Sequence, residues 1–371
     1  MSDIIRVGLS QGDQNGVGME VILKSIADPV VTELFTPVIF GVPSIALKCK
    51  EMLGLSEMRI NIISDMQQIV DGKINLFAVS KQEMAPDPGK VSKESGAMAS
   101  KALVAAVDAL KEGAVDVLVT APISKEAIQS KDFPFPGHTE FLENRLGEGD
   151  KASMILCNDS LRVALLSIHV PIAKVPELIT KERIIDSVMA FSDTLKRDFG
   201  KERPSIAVLS LNPHAGDGGV IGDEEEEIIK PALRDLRNEG TLAFGPFPAD
   251  GFFGHGAYKN YDGVLAMYHD QGLAPFKTIA SSGGVNFTAG LPFVRTSPDH
   301  GTAFDIAWKG IADESSMRDA IYMAIDIFRR RNIFDDASAN PLKKYVTEKP
   351  DRGERQDKPL KLTNISDLTD D

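Results

Sequence analysis

Short apolar runs alternating with helix-length amphipathic stretches leave this chain few architectures. Residues 4–9 read as a buried strand, glycines at 12, 16 and 18 turn the chain, and residues 19–27 resume with helical periodicity. Strand and helix candidates then follow in turn: 37–42, 43–53, 59–63 and 74–79. Residues 95–113 form a strong amphipathic pattern stopped by Gly113; residues 115–122 read as a strand that Pro122 ends, with Ser124 placed to cap a short helix. Such alternation predicts a mainly parallel, doubly wound α/β fold. At 371 residues the chain exceeds the usual single-core size, so two domains are expected.

A formal net charge of −13 argues against general nucleic-acid binding, which needs basic surface to release counterions. An anionic ligand must be held by a local basic cluster. Cys49 and Cys157 lie far apart with no metal-type pairing, which fits two buried thiols in a reduced, cytoplasmic setting. The N-terminus lacks a signal-peptide pattern, and no apolar stretch approaches the roughly twenty residues that span a bilayer. From residue 340 onward the chain is charged and broken by prolines, and residues 341–371 read as a surface tail.

Three strand candidates share a feature: 161–169 ends at His169, 205–214 at His214 and 263–269 at His269. One histidine at such a place is usually structural. Three of six, each where strand gives way to loop, suggest imidazole ligands around a catalytic divalent ion. The stretch 131–147 opens a helix at Gly137, His138 and Thr139, where free amides and the dipole favour an anion. Lys277, Asn286, Arg295 and His300 crowd the stretch 263–310, which resembles a ligand-binding sheet edge. The first glycine loop, GDQNGVG, lacks dinucleotide-fingerprint spacing and reads as a tight turn or a ligand-facing loop. The acidic run after Asp223 reads as a solvated start of a helix over 223–239. Asp250 is either catalytic or a turn residue.

Read in order, GDQNGVG, TAPISKEAI, PGHTEFL, LNPHAGDGGVIGDEE, PADGFFG, AMYHDQGLAPFK and GVNFTAGLPFVRTSPDHGTAFDIA resemble the 4-hydroxythreonine-4-phosphate dehydrogenase family of pyridoxal 5'-phosphate biosynthesis. The resemblance implies a two-domain α/β/α sandwich similar to isocitrate and isopropylmalate dehydrogenases, with the active-site cleft between domains at a homodimer interface. Residues 1–135 with 280–340 would form one domain, and 136–279 the second, with dimer contacts. Metal ligands fall on His169, His214 and His269, the last supplied across the dimer. Substrate contacts fall on His138, Thr139, Lys277, Asn286 and Arg295, with Lys277 and Asp250 as candidates for proton transfer. The segment DHGTAFDIAWKGIAD is similar to an adenosine-binding stretch, placing NAD or NADP near His300, Gly301, Thr302 and Asp305.

The implied reaction is divalent-metal-dependent (Zn, Mg, Co or Mn) oxidation of 4-phosphooxy-L-threonine to 2-amino-3-oxo-4-phosphooxybutanoate, which decarboxylates to 3-amino-2-oxopropyl phosphate. The alternative is a sister dehydrogenase acting on D-threonate or D-erythronate 4-phosphate. A metal-dependent phosphohydrolase or a non-catalytic binding protein are readings of other classes. The first motif departs from the family's GDPAGIGPE at Gln14, Asn15 and Met19.

Overall fold

Twelve strands join in one sheet in the computed structural model, which describes residues 4–131, 133–280 and 283–340. In chain order they are β1 (Arg6–Ser10), β2 (Thr36–Gly41), β3 (Ile60–Ile63), β4 (Ile74–Ala78), β5 (Val117–Thr120), β6 (Ser153–Cys157), β7 (Arg162–Leu165), β8 (Ser205–Leu209), β9 (Leu242–Phe247), β10 (Gly263–Ala266), β11 (Val285–Ala289) and β12 (Arg295–Pro298). Their spatial order is β3-β4-β2-β1-β5-β12-β11-β6-β7-β10-β8-β9. From β3 to β12 every pairing is parallel. Three antiparallel steps follow, β12 to β11, β11 to β6 and β6 to β7. From β7 to β9 the pairing is parallel again. An odd number of reversals makes the two parallel halves run in opposite senses.

The apolar runs that mark β1, β2, β5, β8 and β10 in the sequence are buried almost throughout, as befits strands covered on both faces. Four strands escape the sequence reading: β6, β9, β11 and β12. The last three are interrupted by polar or turn-forming residues: Asn286 and Thr288, then Arg295 and Ser297, and in β9 the Gly245–Pro246 pair. Those polar residues in β11 and β12 are what gives the site its floor.

The Lys93–Lys111 helix is capped by Ser92, whose Oγ accepts from Ser95 N at 3.1 Å, and it buries Leu103, Val107 and Leu110. Residues 223–239 are not one α-helix. Glu225–Ile229 form a π turn, and α-helical geometry begins at Lys230. Pro231 has no N–H to return to the preceding turn, so the hydrogen-bond ladder changes register just before it. The expected solvated acidic start is also incomplete, since Glu225 is fully buried.

The GDQNGVG loop faces inward. Asp13 accepts from Asn15 N at 2.9 Å and from Ser95 Oγ at 3.2 Å, and burial raises its proton affinity. Asn15 donates to Lys90 O at 2.8 Å. Gly12, at φ +70°, leaves no room for a Cβ, which would stand 2.3 Å from Pro122 O. The tight turn, not a ligand-facing loop, is what forms, and it fixes the chain just beyond β5.

The Ser315–Ser338 helix closes the described chain. Its Arg331 is buried against Asp198, with Nε to Oδ1 at 2.6 Å and Nη2 to Oδ2 at 3.2 Å; Nη1 also donates to Leu291 O and Pro292 O. One guanidinium thus ties three segments together. The tail expected over 341–371 lies outside the described residues.

Candidate active site

Paired positions in an antiparallel ladder share a face, as do alternate residues of one strand. Asn286 pairs with Ser297, and Thr288 pairs with both Arg295 and Met154, so these side chains point to one face of the central strands. Above them opens a cleft of ≈ 250 Å³, whose lining includes Thr120, Met154, Asn286, Arg295 and Ser297. Its walls come from the start of the His138–Leu146 helix, from His169 and from His300 and Gly301.

Arg295 is the unusual group at the floor. It is 2% exposed, yet its partners are hydroxyls: Nε and Nη2 donate to Thr120 Oγ1, and Nη1 donates to Thr288 Oγ1 at 2.9 Å. Burial lowers its pKa to about 9, so it remains a cation near neutral pH. Two of its five N–H groups are left over, in the fork that suits a carboxylate or phosphate.

Three buried polar atoms in the same lining have no partner among the described residues: His138 Nε2, Asn286 Oδ1 and His300 Nε2. His300 Nδ1 lies 2.9 Å from Gly301 O, which makes Nδ1 the donor and leaves Nε2 as an acceptor. Burial, with Arg295 and Lys125 nearby, holds His138 well below the usual imidazole pKa, so it is neutral. Buried groups without partners are costly in a folded protein, and their convergence on one cleft marks the place of a polar ligand.

His169 also borders a second cleft of ≈ 330 Å³, lined in part by Tyr268, His269 and Asp270. The His169 and His269 rings stand 5.9 Å apart at 38°. His269 Nδ1 meets Asp270 Oδ1 at 2.7 Å, an arrangement that orients the ring and frees Nε2. Gln271 anchors the same turn, accepting from Met267 N at 2.7 Å and donating to Ser210 O at 2.6 Å. Burial, then Lys125 and His269, lowers the proton affinity of His169 against the opposite pull of Glu140. His169 therefore presents a lone pair.

His214 does not join them. It sits in a turn where His214, Ala215 and Asp217 all take left-handed φ of +52°, +52° and +45°. Such backbone costs on the order of 1 kcal/mol per non-glycine residue, so something must hold it. Glu225 does: its Oε1 accepts from Leu211 N and Asn212 N, each at 2.8 Å, and its Oε2 accepts from Asn212 Nδ2 at 2.9 Å. Among the described residues no three His, Cys, Asp or Glu side chains of one chain are arranged to hold a metal ion.

Of the other expected site residues, Thr139 and Gly301 line the first cleft with His138, Asn286, Arg295 and His300. Lys277 is exposed and donates to Asp299 O at 3.3 Å; Asp250 is exposed on the Ala249–Gly254 helix. Thr302 O accepts from Val17 N at 3.0 Å, and Asp305 is exposed. None of these four lines the cleft of its own chain. Sequence reasoning missed Thr120 and Thr288, which hold Arg295, and also Gln271, Glu225 and Lys125. The TAPISKEAI motif carried a signal for Thr120 and Lys125. Nothing local marked Glu225, whose partners lie thirteen and fourteen residues away.

Residues 33–324 match the family described as pyridoxal phosphate biosynthetic protein PdxA. A 4-hydroxythreonine-4-phosphate dehydrogenase of Bacteroides thetaiotaomicron is 49% identical over 363 residues, 98% of each chain. A putative D-threonate 4-phosphate dehydrogenase of Oceanobacillus iheyensis is 36% identical over 325 residues, 86% of this chain and 97% of that one. The crystal structure of a 4-hydroxythreonine-4-phosphate dehydrogenase from Klebsiella pneumoniae superposes with a TM-score of 0.73 at 36% identity, covering 88% of this chain and 98% of that one.

Proposed function

Since this chain belongs to the PdxA family of pyridoxal phosphate biosynthesis, we propose that it oxidises the secondary alcohol of 4-phosphooxy-L-threonine with NAD or NADP, the β-keto product then losing CO2 to give 3-amino-2-oxopropyl phosphate. The observation that carries this reading is the cleft over the central strands. It joins a buried guanidinium with no carboxylate partner among the described residues to three polar atoms likewise unpartnered there, beside the His169 and His269 rings. A phosphorylated amino acid supplies the anion and the polar groups that this lining lacks.

Arg295 offers its remaining N–H fork to the phosphate, with Thr139 and the uncapped amides at the start of the His138–Leu146 helix. Asn286 Oδ1 accepts from a substrate donor, and neutral His138 orients the chain of the substrate without adding charge. His300 Nε2, an acceptor, fits a hydroxyl of the dinucleotide, with Gly301, Thr302 and Asp305 on the same segment. The donor set at His169 and His269 suits a borderline divalent cation such as Zn or Co better than the harder Mg or Mn, and Asp270 orients the His269 ring. His169 and His269 would hold the ion, which would supply acidification of the substrate hydroxyl, and the dinucleotide held near His300 would supply the hydride acceptor.

His214, the third imidazole of the proposed set, stands apart from the other two within one chain, so the set is completed across a homodimer, as the resemblance implies for His269. Val170, Ile172, Val220 and Ile221 are exposed beside these histidines, an apolar rim suited to burial in a homodimer. Lys277 and Asp250 are the proposed proton-transfer groups, and because neither lines the cleft of its own chain, that role calls for a second copy. The domain division at 1–135 with 280–340 against 136–279 runs between β11 and β6, so the cleft floor straddles it. The buried thiols Cys49 and Cys157, both pushed up to about 12, suit a cytoplasmic enzyme; no described helix is long and apolar enough to cross a membrane.

Among the described residues Glu140 is the one carboxylate lining the cleft, which disfavours a carboxylate-rich phosphohydrolase centre. The test is NAD(P)H formation by metal-loaded protein on 4-phosphooxy-L-threonine, D-threonate 4-phosphate and D-erythronate 4-phosphate. A preference of tenfold or more in kcat/KM for either sugar-acid phosphate would replace the proposed substrate with its sister.

A further inference from the structure

We infer that Lys125 is a further substrate-contacting residue, one that completes the phosphate site at the start of the His138–Leu146 helix. This inference rests on the phosphorylated substrate proposed above.

Several features place it there. Pro122 ends β5, and Ser124 Oγ accepts from Ala127 N at 3.2 Å, so the turn that carries Lys125 is fixed at both sides. Lys125 lines the cleft together with His138, Thr139 and Arg295. Its Cε comes within 3.9 Å of the position a Cβ on Gly137 would take, so its stem lies over the N-cap of that nine-residue helix. Gly137 has no side chain to cap the first turn, and a Cβ there would also crowd Glu140 Oε2 at 3.3 Å. Lys125 makes no ion pair among the described residues.

The local charge balance then favours a dianion. Arg295 and Lys125 both line the cleft as cations, His138 is held neutral, and Glu140 is the one opposing carboxylate among the described residues. In a chain of net charge −13, two cations left unmatched in one small cleft are a selective feature. Arg295 supplies a rigid fork; Lys125 supplies a compact charge with rotatable donors that follows the phosphate on entry. Glu140 sits close enough to weaken the site, so its charge sets a ceiling on phosphate affinity.

Inorganic phosphate is the first probe. The thermal midpoint of the full-length wild-type protein should rise with phosphate in the absence of substrate and cofactor. Lys125→Ala should need roughly 10- to 100-fold more phosphate for the same rise, the range expected for one charge-assisted contact. Lys125→Arg should restore most of the response, and Glu140→Gln should tighten it. In turnover, Lys125→Ala should raise KM by a similar factor with kcat changed little, the signature of binding shared by ground and transition states. Lys125→Met, which keeps the stem, substitutes for the alanine variant if that one folds poorly. A phosphate response in Lys125→Ala or Lys125→Met equal to that of wild type would overturn the assignment, as would a wild-type protein indifferent to phosphate. If the variants lose the response while no phosphorylated substrate yields NAD(P)H, Lys125 keeps its role and the dehydrogenase reading fails instead.

Discussion

Arg295→Met separates function from stability more sharply than any other substitution in this protein. The guanidinium is 2% exposed and has three hydrogen bonds to two threonine hydroxyls, with no carboxylate partner among the described residues. Its fall from 12.5 to about 9 corresponds to a charge held at a cost on the order of 5 kcal/mol, since each pKa step is worth about 1.4 kcal/mol. A base whose folded pKa is depressed binds protons more tightly when unfolded. The group therefore destabilises the fold at every pH below about 9, and the penalty disappears only as pH rises from there towards 12.5.

Methionine fills much of the same volume without that charge, but leaves Thr120 and Thr288 short of partners at about 1 kcal/mol each. The net expectation is a thermal midpoint equal to or above that of wild type, by up to about 3 kcal/mol in stability. Substrate binding moves the other way, because the forked contact is lost: kcat/KM should fall by at least about a hundredfold. Differential scanning calorimetry of the ligand-free protein and NAD(P)H formation read the two effects. A midpoint lowered by several degrees with kcat/KM intact would show that Arg295 is a structural strut and refute the reasoning.

The Asp198–Arg331 pair should behave in the opposite manner. Asp198→Asn leaves a buried guanidinium uncompensated, so urea unfolding should show a loss of about 3–5 kcal/mol while KM stays at the wild-type value. Asp270→Ala removes the acceptor that orients His269, and competition with a chelator should show roughly 10- to 100-fold weaker metal binding with little change in thermal midpoint. His138 is held neutral below its ordinary 6.5, so the unfolded chain takes up that proton first and stability is lost as pH falls below about 6.5. His138→Gln should flatten that slope in denaturant titrations between pH 7 and pH 5.

Much of the fold was legible because it rests on burial. The strands over 117–120, 205–209 and 263–266 announced themselves as unbroken apolar runs, since both of their faces are covered. β11 and β12 did not, because Asn286, Thr288, Arg295 and Ser297 alternate polar groups toward the cleft, and a polar strand reads as a loop. For the site, His138, Asn286, Arg295 and His300 were picked out by type and position, and they share one cleft. The supports of these residues were hidden, as sequence spacing cannot show that Thr120 meets a guanidinium 175 residues away or that Glu225 clasps the His214 turn. The proposed convergence of three imidazoles was also beyond reach within one chain, where His169 and His269 approach each other without His214.

The floor under the ligand is a patchwork of distant chain positions: Thr120, Met154, Asn286 and Arg295 come from neighbouring strands whose sequence order is scrambled in space. Nothing shorter than nearly the whole polypeptide can assemble it. A nascent or nicked chain ending before residue 285 has Thr120 and Lys125 but lacks β11 and β12, and with them Asn286 and the Arg295 fork. Contacts of such long sequence separation form late. Phosphate affinity is accordingly a readout of completed folding.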